Sequence, residues 1–155
     1  MQHRLTARLA AVQALYQMDA SDAGLENVIA DFRLHWIGAD FDGERFVDAD
    51  AGLFEDIVRG VVRLQSKIDP AIERRLASNW TLPRLDSTAR AILRSAVYEL
   101  MQNPATPVLV VIDEYMEVAN SFFEGAEPRF INGALDALAR DLRADEFADA
   151  GARRS

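Results

Sequence analysis

From Leu82 to Pro104 (LPRLDSTARAILRSAVYELMQNP) apolar residues recur three and four apart. Ala89, Ile92, Leu93, Ala96, Val97, Leu100 and Met101 therefore share one broad stripe at the roughly 3.6-residue helical period. Pro83 marks the entry and Asp86 or Ser87 is placed to cap the first free N–H groups. Asn103-Pro104 ends the helix, because proline disfavours α geometry in the residue before it. This stretch reads as the central helix of an all-helical domain. Arg90 and Arg94, one turn apart on the opposite face, read as solvated.

The same period predicts a first helix over about Leu5–Met18, with Leu5, Leu9, Val12, Leu15 and Tyr16 inward and Arg4, Arg8 and Gln13 outside. Leu25, Val28, Ile29, Phe32 and Trp36 predict a second. Residues 38–50 mix glycine with acids and read as a solvated connection tacked down by Phe41 and Phe46. A third helix over about 50–67 turns Phe54, Ile57, Val58, Val61 and Leu64 inward and Arg59, Arg63 and Lys67 outward. Asp69-Pro70 has the form of a new helix start, since aspartate accepts from free N–H groups and proline loses nothing at the first helical position. That helix would end near Asn79, with Trp80 and Leu82 covering the joint between the halves.

Val108 to Ile112 is apolar throughout and by itself fits a buried strand. Tyr115, Ala119 and Phe122 continue its helical spacing as far as Gly125, after a Thr106-Pro107 start. Glu127-Pro128 opens a last helix with Phe130 or Ile131, Ala134, Leu135, Leu138 and Leu142 inward. Gly133 within it reads as a point of close helix packing, and Asn132 as a partner for neighbouring backbone. The architecture expected is about seven helices in two packed bundles. Residues 1–143 form one domain, divided roughly into 1–68 and 69–143, and 144–155 form a frayed tail.

Composition narrows the chemistry. Half of the 155 residues are hydrophobic, enough for a real core. Cysteine is absent, which excludes disulfides, thiolate metal sites and cysteine nucleophiles and fits a reducing cytoplasm. There is no signal-like or membrane-length apolar run. The net charge of −8 argues against phosphate binding, but the charge is uneven. Residues 19–56 and 113–155 hold most of the acids, while 1–18 and 57–112 are locally basic. Oppositely charged partners can therefore be served by different faces.

Catalytic groups are sparse. His3 and His35 have no evident metal or nucleophile partner and read as surface residues. Asp113, Glu114 and Glu117 crowd one turn, but the Glu-x-x-His element of helical metal sites is missing, so they read as a solvated acidic face. Neither a glycine-rich phosphate loop nor Gly-x-Ser-x-Gly occurs. The sequence indicates neither an enzyme nor a metal or cofactor site.

Three segments in register carry a family resemblance: ARLAAVQALYQ at 7–17, TARAILRSAVYEL in the central helix, and TPVLVVIDEYMEVANSFFEGAEPRFINGALD at 106–136. They resemble the NusB family of bacterial transcription antitermination factors, whose closing F-[IV]-N-G-x-L-D is matched by FINGALD. The resemblance implies a cytoplasmic all-α protein that pairs with NusE, the small-subunit ribosomal protein, on boxA-type single-stranded leader RNA. There it would help the RNA polymerase antitermination complex through ribosomal RNA operons. It places RNA contacts on Arg4, Arg8, Arg94, Arg129 and Phe130, with the ring of Phe130 stacking on a base. It places contact with NusE on Tyr16. Several positions depart from the pattern. Leu5 and Thr6 interrupt the N-terminal arginine cluster, Ala89 replaces a common glutamate, and Asp113, Tyr115 and Asn120 replace asparagine, alanine and lysine. The competing reading is an acidic helical protein-interaction or homodimer module without intrinsic RNA binding. A NusB-like domain also precedes the catalytic domain of certain ribosomal RNA cytosine methyltransferases, but the chain has no cysteine.

Overall fold

The computed structural model describes residues 2–36, 40–41, 44–45, 48–76 and 81–146. These form α1 (Gln2–Ala20), α2 (Leu25–Trp36), a two-residue antiparallel ladder of β1 (Asp40–Phe41) with β2 (Glu44–Arg45), and α3 (Asp48–Glu73). A 3-10 turn (Leu82–Arg84), α4 (Ser87–Gln102), α5 (Val108–Phe122) and α6 (Glu127–Leu142) follow. The chain is thus helical as its periodicity predicts, apart from the small ladder inside the expected connection. The side chains of His3, His35, Trp36, Phe41, Phe46 and Trp80, and the tail from 147 on, lie outside the described residues.

α4 is the hub. α1 packs on α3 and α4, α3 on α4, and α5 and α6 close the other side of α4. Its burial is wider than the apolar stripe indicates: Ala91, Ser95, Tyr98 and Glu99 are buried along with Ile92, Leu93, Ala96, Val97 and Leu100. Each fully buried Leu, Ile or Val contributes about 1.5–3 kcal/mol, so this one helix anchors a large share of the core. The Asp86 carboxylate caps it, accepting from the N–H groups of Thr88 (2.8 Å) and Ala89 (3.3 Å). α3 approaches closely because residue 60 is glycine. A Cβ there would overlap the ring of Tyr98, whose hydroxyl donates to Asp56 at 2.8 Å.

Several local expectations are corrected. Asp69-Pro70 starts no helix: α3 runs through it to Glu73, so residues 68 and 69 lie within one helix. Pro70, in the last turn of α3, forgoes one intrahelical N–H donor, and the Asp69 carboxylate is engaged by Arg94 (2.9 and 3.0 Å). Val108–Ile112 is helix, but α5 has no side-chain cap from Thr106. The Glu146 carboxylate accepts from the Val108 N–H instead, so residues 144–146 are a helical turn held against the α5 start and not free tail. Arg143 completes this clasp by donating to the carbonyls of Glu99, Leu100, Asn103 and Thr106, which satisfies the open C-terminal end of α4. Gly133 has nothing near its Cβ position, and it and Asn132 are exposed; neither takes part in close packing or in buried hydrogen bonding.

Candidate nucleic-acid interface

Of the residues expected to meet RNA, Arg8 is the main correction. It is 1% exposed. Its Nε and Nη2 donate to the two oxygens of Glu99 (2.7 and 2.8 Å), and its Nη1 donates to Glu114 at 2.9 Å. The guanidinium lies 5.8 Å from the centre of the Tyr115 ring, and the Tyr115 hydroxyl also donates to Glu99. Burial works against the charge of Arg8, but the bonds and field of Glu99 outweigh it and hold the guanidinium firmly protonated. Burial, reinforced by Glu99, raises the Tyr115 hydroxyl well above its ordinary value. Burial also raises the Glu114 carboxyl, opposed by Arg8. Arg8 points inward because this group of acceptors lies under α1, and neutral neighbours alone would not hold a buried cation. A signal was present in the sequence: Glu99 is a lone acid within the apolar run of the central helix.

Arg94 is likewise held. It bridges Asp69 and Asp19, and neighbouring Arg90 pairs with Asp19 (2.7 Å) while donating to the carbonyls of Leu82 and Leu85. The two arginines read as a solvated face are thus an ionic tie joining the ends of α1 and α3 to α4. Asp19 carries no local signal in the sequence, because its partner Arg90 is 71 residues away.

Arg4, Tyr16, Arg129 and Phe130 are on the surface, with Tyr16 43% and Phe130 40% exposed. Phe130 lines a groove of about 390 Å³ between the starts of α4 and α6, together with Arg84, Leu85, Asp86, Ala89, Ala126 and Glu127. The expected glutamate-to-alanine departure at Ala89 thus lies in the wall of this groove and gives it an apolar floor. Arg4 is elsewhere. Arg8 meets Glu99 while Asp19 meets Arg90, so α1 runs antiparallel to α4 and Arg4 extends past the C-terminal end of α4. At ~1.5 Å rise per residue, the levels of Ala89 and Asn103 on α4 are roughly 20 Å apart. The surface cations expected to hold RNA therefore sit at two ends of the central helix, with the aromatic ring at one of them.

The groove pairs the half-exposed Phe130 ring with Arg84 in its lining and Arg129 next to it in the chain. Among the described residues no cluster of His, Asp or Glu is arranged to hold a metal, and no helix is long and apolar enough to cross a membrane. The helices and this groove define an all-α protein with an open cleft at one end of its central helix.

The chain belongs to the NusB family, whose model matches residues 5–140; it is a family of transcription antitermination proteins and not of enzymes. The transcription antitermination protein NusB of Caulobacter vibrioides is 57% identical over 143 residues, covering 92% of this chain and 96% of the relative. That of Maricaulis maris is 54% identical over 144 residues, covering 93% and 90%. Among solved structures, T. maritima NusB superposes with a TM-score of 0.77 at 30% identity over 94% of this chain and 96% of that one. A complex of antitermination factors NusB and NusE with dsRNA shares the fold, with a TM-score of 0.72 at 22% identity over 91% and 98%.

Proposed function

We propose that the protein is an RNA-binding antitermination factor that pairs with NusE on boxA-type leader RNA in the cytoplasm and so supports RNA polymerase in transcribing ribosomal RNA operons. The observation that carries this reading is the half-exposed Phe130 ring at the mouth of the α4–α6 groove, beside exposed Arg129. An exposed ring next to a cation suits stacking on an unpaired base. Exposed Arg4, at the far end of α4, supplies a second phosphate contact for a strand long enough to span both ends. Tyr16 is a surface aromatic suited to a protein partner, and the acidic net charge suits a basic one. A structural neighbour is a NusB–NusE complex with dsRNA, which supports association with NusE and RNA.

A second reading has its own support. Arg8, Arg90 and Arg94 are all neutralised internally, which leaves few cations for RNA and favours a protein-interaction or homodimer module whose RNA contact depends on its partner. Fluorescence anisotropy with boxA RNA, run with and without purified NusE, separates the two. Tighter binding by the pair than by either protein alone is expected. No RNA binding under either condition, with NusE still co-eluting, would leave the interaction module. Light scattering on the free protein checks for the homodimer.

A further inference from the structure

The face that α1 turns to the core mixes four fully buried alanines, Ala7, Ala10, Ala11 and Ala14, with the larger Leu9, Val12 and Leu15. Helices fix their relative position by interlocking large side chains into grooves, and the alanines add only shallow ridges to that interlock. Toward the N-terminal end of this face lies Arg8, among the largest fully buried side chains of the protein. Its planar fork is met by both oxygens of Glu99 on α4, and its remaining nitrogen by Glu114 on α5. A bidentate pair is satisfied in only one relative placement of the two groups. Buried ion pairs are poor sources of net stability compared with apolar side chains of similar volume, and their best-attested use is to fix register.

We propose that Glu99, with Arg8, is the register key of α1: the pair sets the axial and rotational position of that helix on α4 and α5, and thereby positions the surface residues α1 carries, Arg4 and Tyr16. The ionic tie at the other end, Asp19 with Arg90 and Arg94, is partly open to solvent and so is more easily exchanged for water contacts. The buried fork therefore dominates. This assignment concerns the internal geometry of the fold and stands whether or not the protein binds RNA.

The chain has no cysteine, so two spin labels can be attached without removing native thiols. Gln13→Cys on α1 and Asn120→Cys on α5 are exposed positions for them. Double electron–electron resonance on the labelled protein should give one narrow distance distribution. In Arg8→Met/Glu99→Leu, which replaces the charges by apolar volume, the protein should remain helical while the distribution broadens or splits. A slip of one turn would displace α1 by ~5.4 Å. Arg8→Lys, which keeps the charge but loses the fork, should broaden it as well. An unchanged narrow distribution in either folded variant would overturn the proposal. Unfolding of Arg8→Lys would also overturn it, by showing that the pair supplies stability and not register.

Discussion

Two arginines one turn apart on α1 have opposite fates, and their substitutions should separate cleanly. Arg4→Ala should leave the melting temperature unchanged and reduce the magnitude of the salt slope of RNA binding by about 0.7, the share of one phosphate contact on a single strand. Arg8→Ala strands the Glu99 carboxylate in the core and should cost roughly 3–5 kcal/mol in denaturant unfolding. A stable Arg8→Ala protein with a flattened salt slope would restore Arg8 to the surface role its sequence position implies. Phe130 is tested similarly. Because its ring is 40% exposed, Phe130→Leu should lose roughly 1–3 kcal/mol of RNA affinity at every salt concentration, with the thermal midpoint held. Unchanged affinity with a lowered midpoint would return the ring to the core.

At the scale of elements, two glycines look alike in sequence and differ in place. Gly60 admits the Tyr98 ring between α3 and α4, and that ring is fixed at its hydroxyl by Asp56. Gly60→Ala gains up to about 1 kcal/mol of helix propensity but forces overpacking worth roughly 1–3 kcal/mol, so a net loss is expected in urea unfolding. Gly133 sits in an exposed stretch of α6 with open space at its Cβ position. Gly133→Ala should therefore raise stability by up to about 1 kcal/mol, and a loss there would reveal a contact on that face.

Across the whole molecule, the buried network links stability to pH. Burial raises the Glu114 carboxyl above its ordinary value, with Arg8 opposing. The folded state therefore holds this proton more tightly than the unfolded chain, and stability from this group falls as pH rises through the raised value. Glu114→Gln should melt higher than the parent at pH 7, and the difference should vanish on acidification below the ordinary glutamate range. Calorimetry at both pH values checks this, and a variant that melts lower at pH 7 would mean that the ion pair with Arg8 outweighs burial. Glu146 behaves oppositely. Burial tends to raise it, but the Val108 N–H and Arg143 prevail and hold it low. Its capping of α5 is therefore present at neutral pH and lost as pH falls through that lowered value.

What the sequence by itself determined is what depends on near neighbours in the chain. Helical spacing located α1, α2, α4, α5 and α6, the pattern offered Asp86 or Ser87 as the α4 cap and the fold uses Asp86, and the FINGALD motif carried the family. Local signals also misled, because Asp69-Pro70 has the form of a helix start wherever it occurs, and only the packing of α3 keeps the helix running through it. The direction in which each charge points was decided by the tertiary structure. Arg4 and Arg8 occupy the same kind of position on α1, and nothing within a turn of either distinguishes them. Arg8 goes inward because Glu99, 91 residues away, and Glu114, 106 residues away, come to lie beneath it. Buried charge is stable only where such partners converge, and that convergence is a property of the assembled fold and not of any segment.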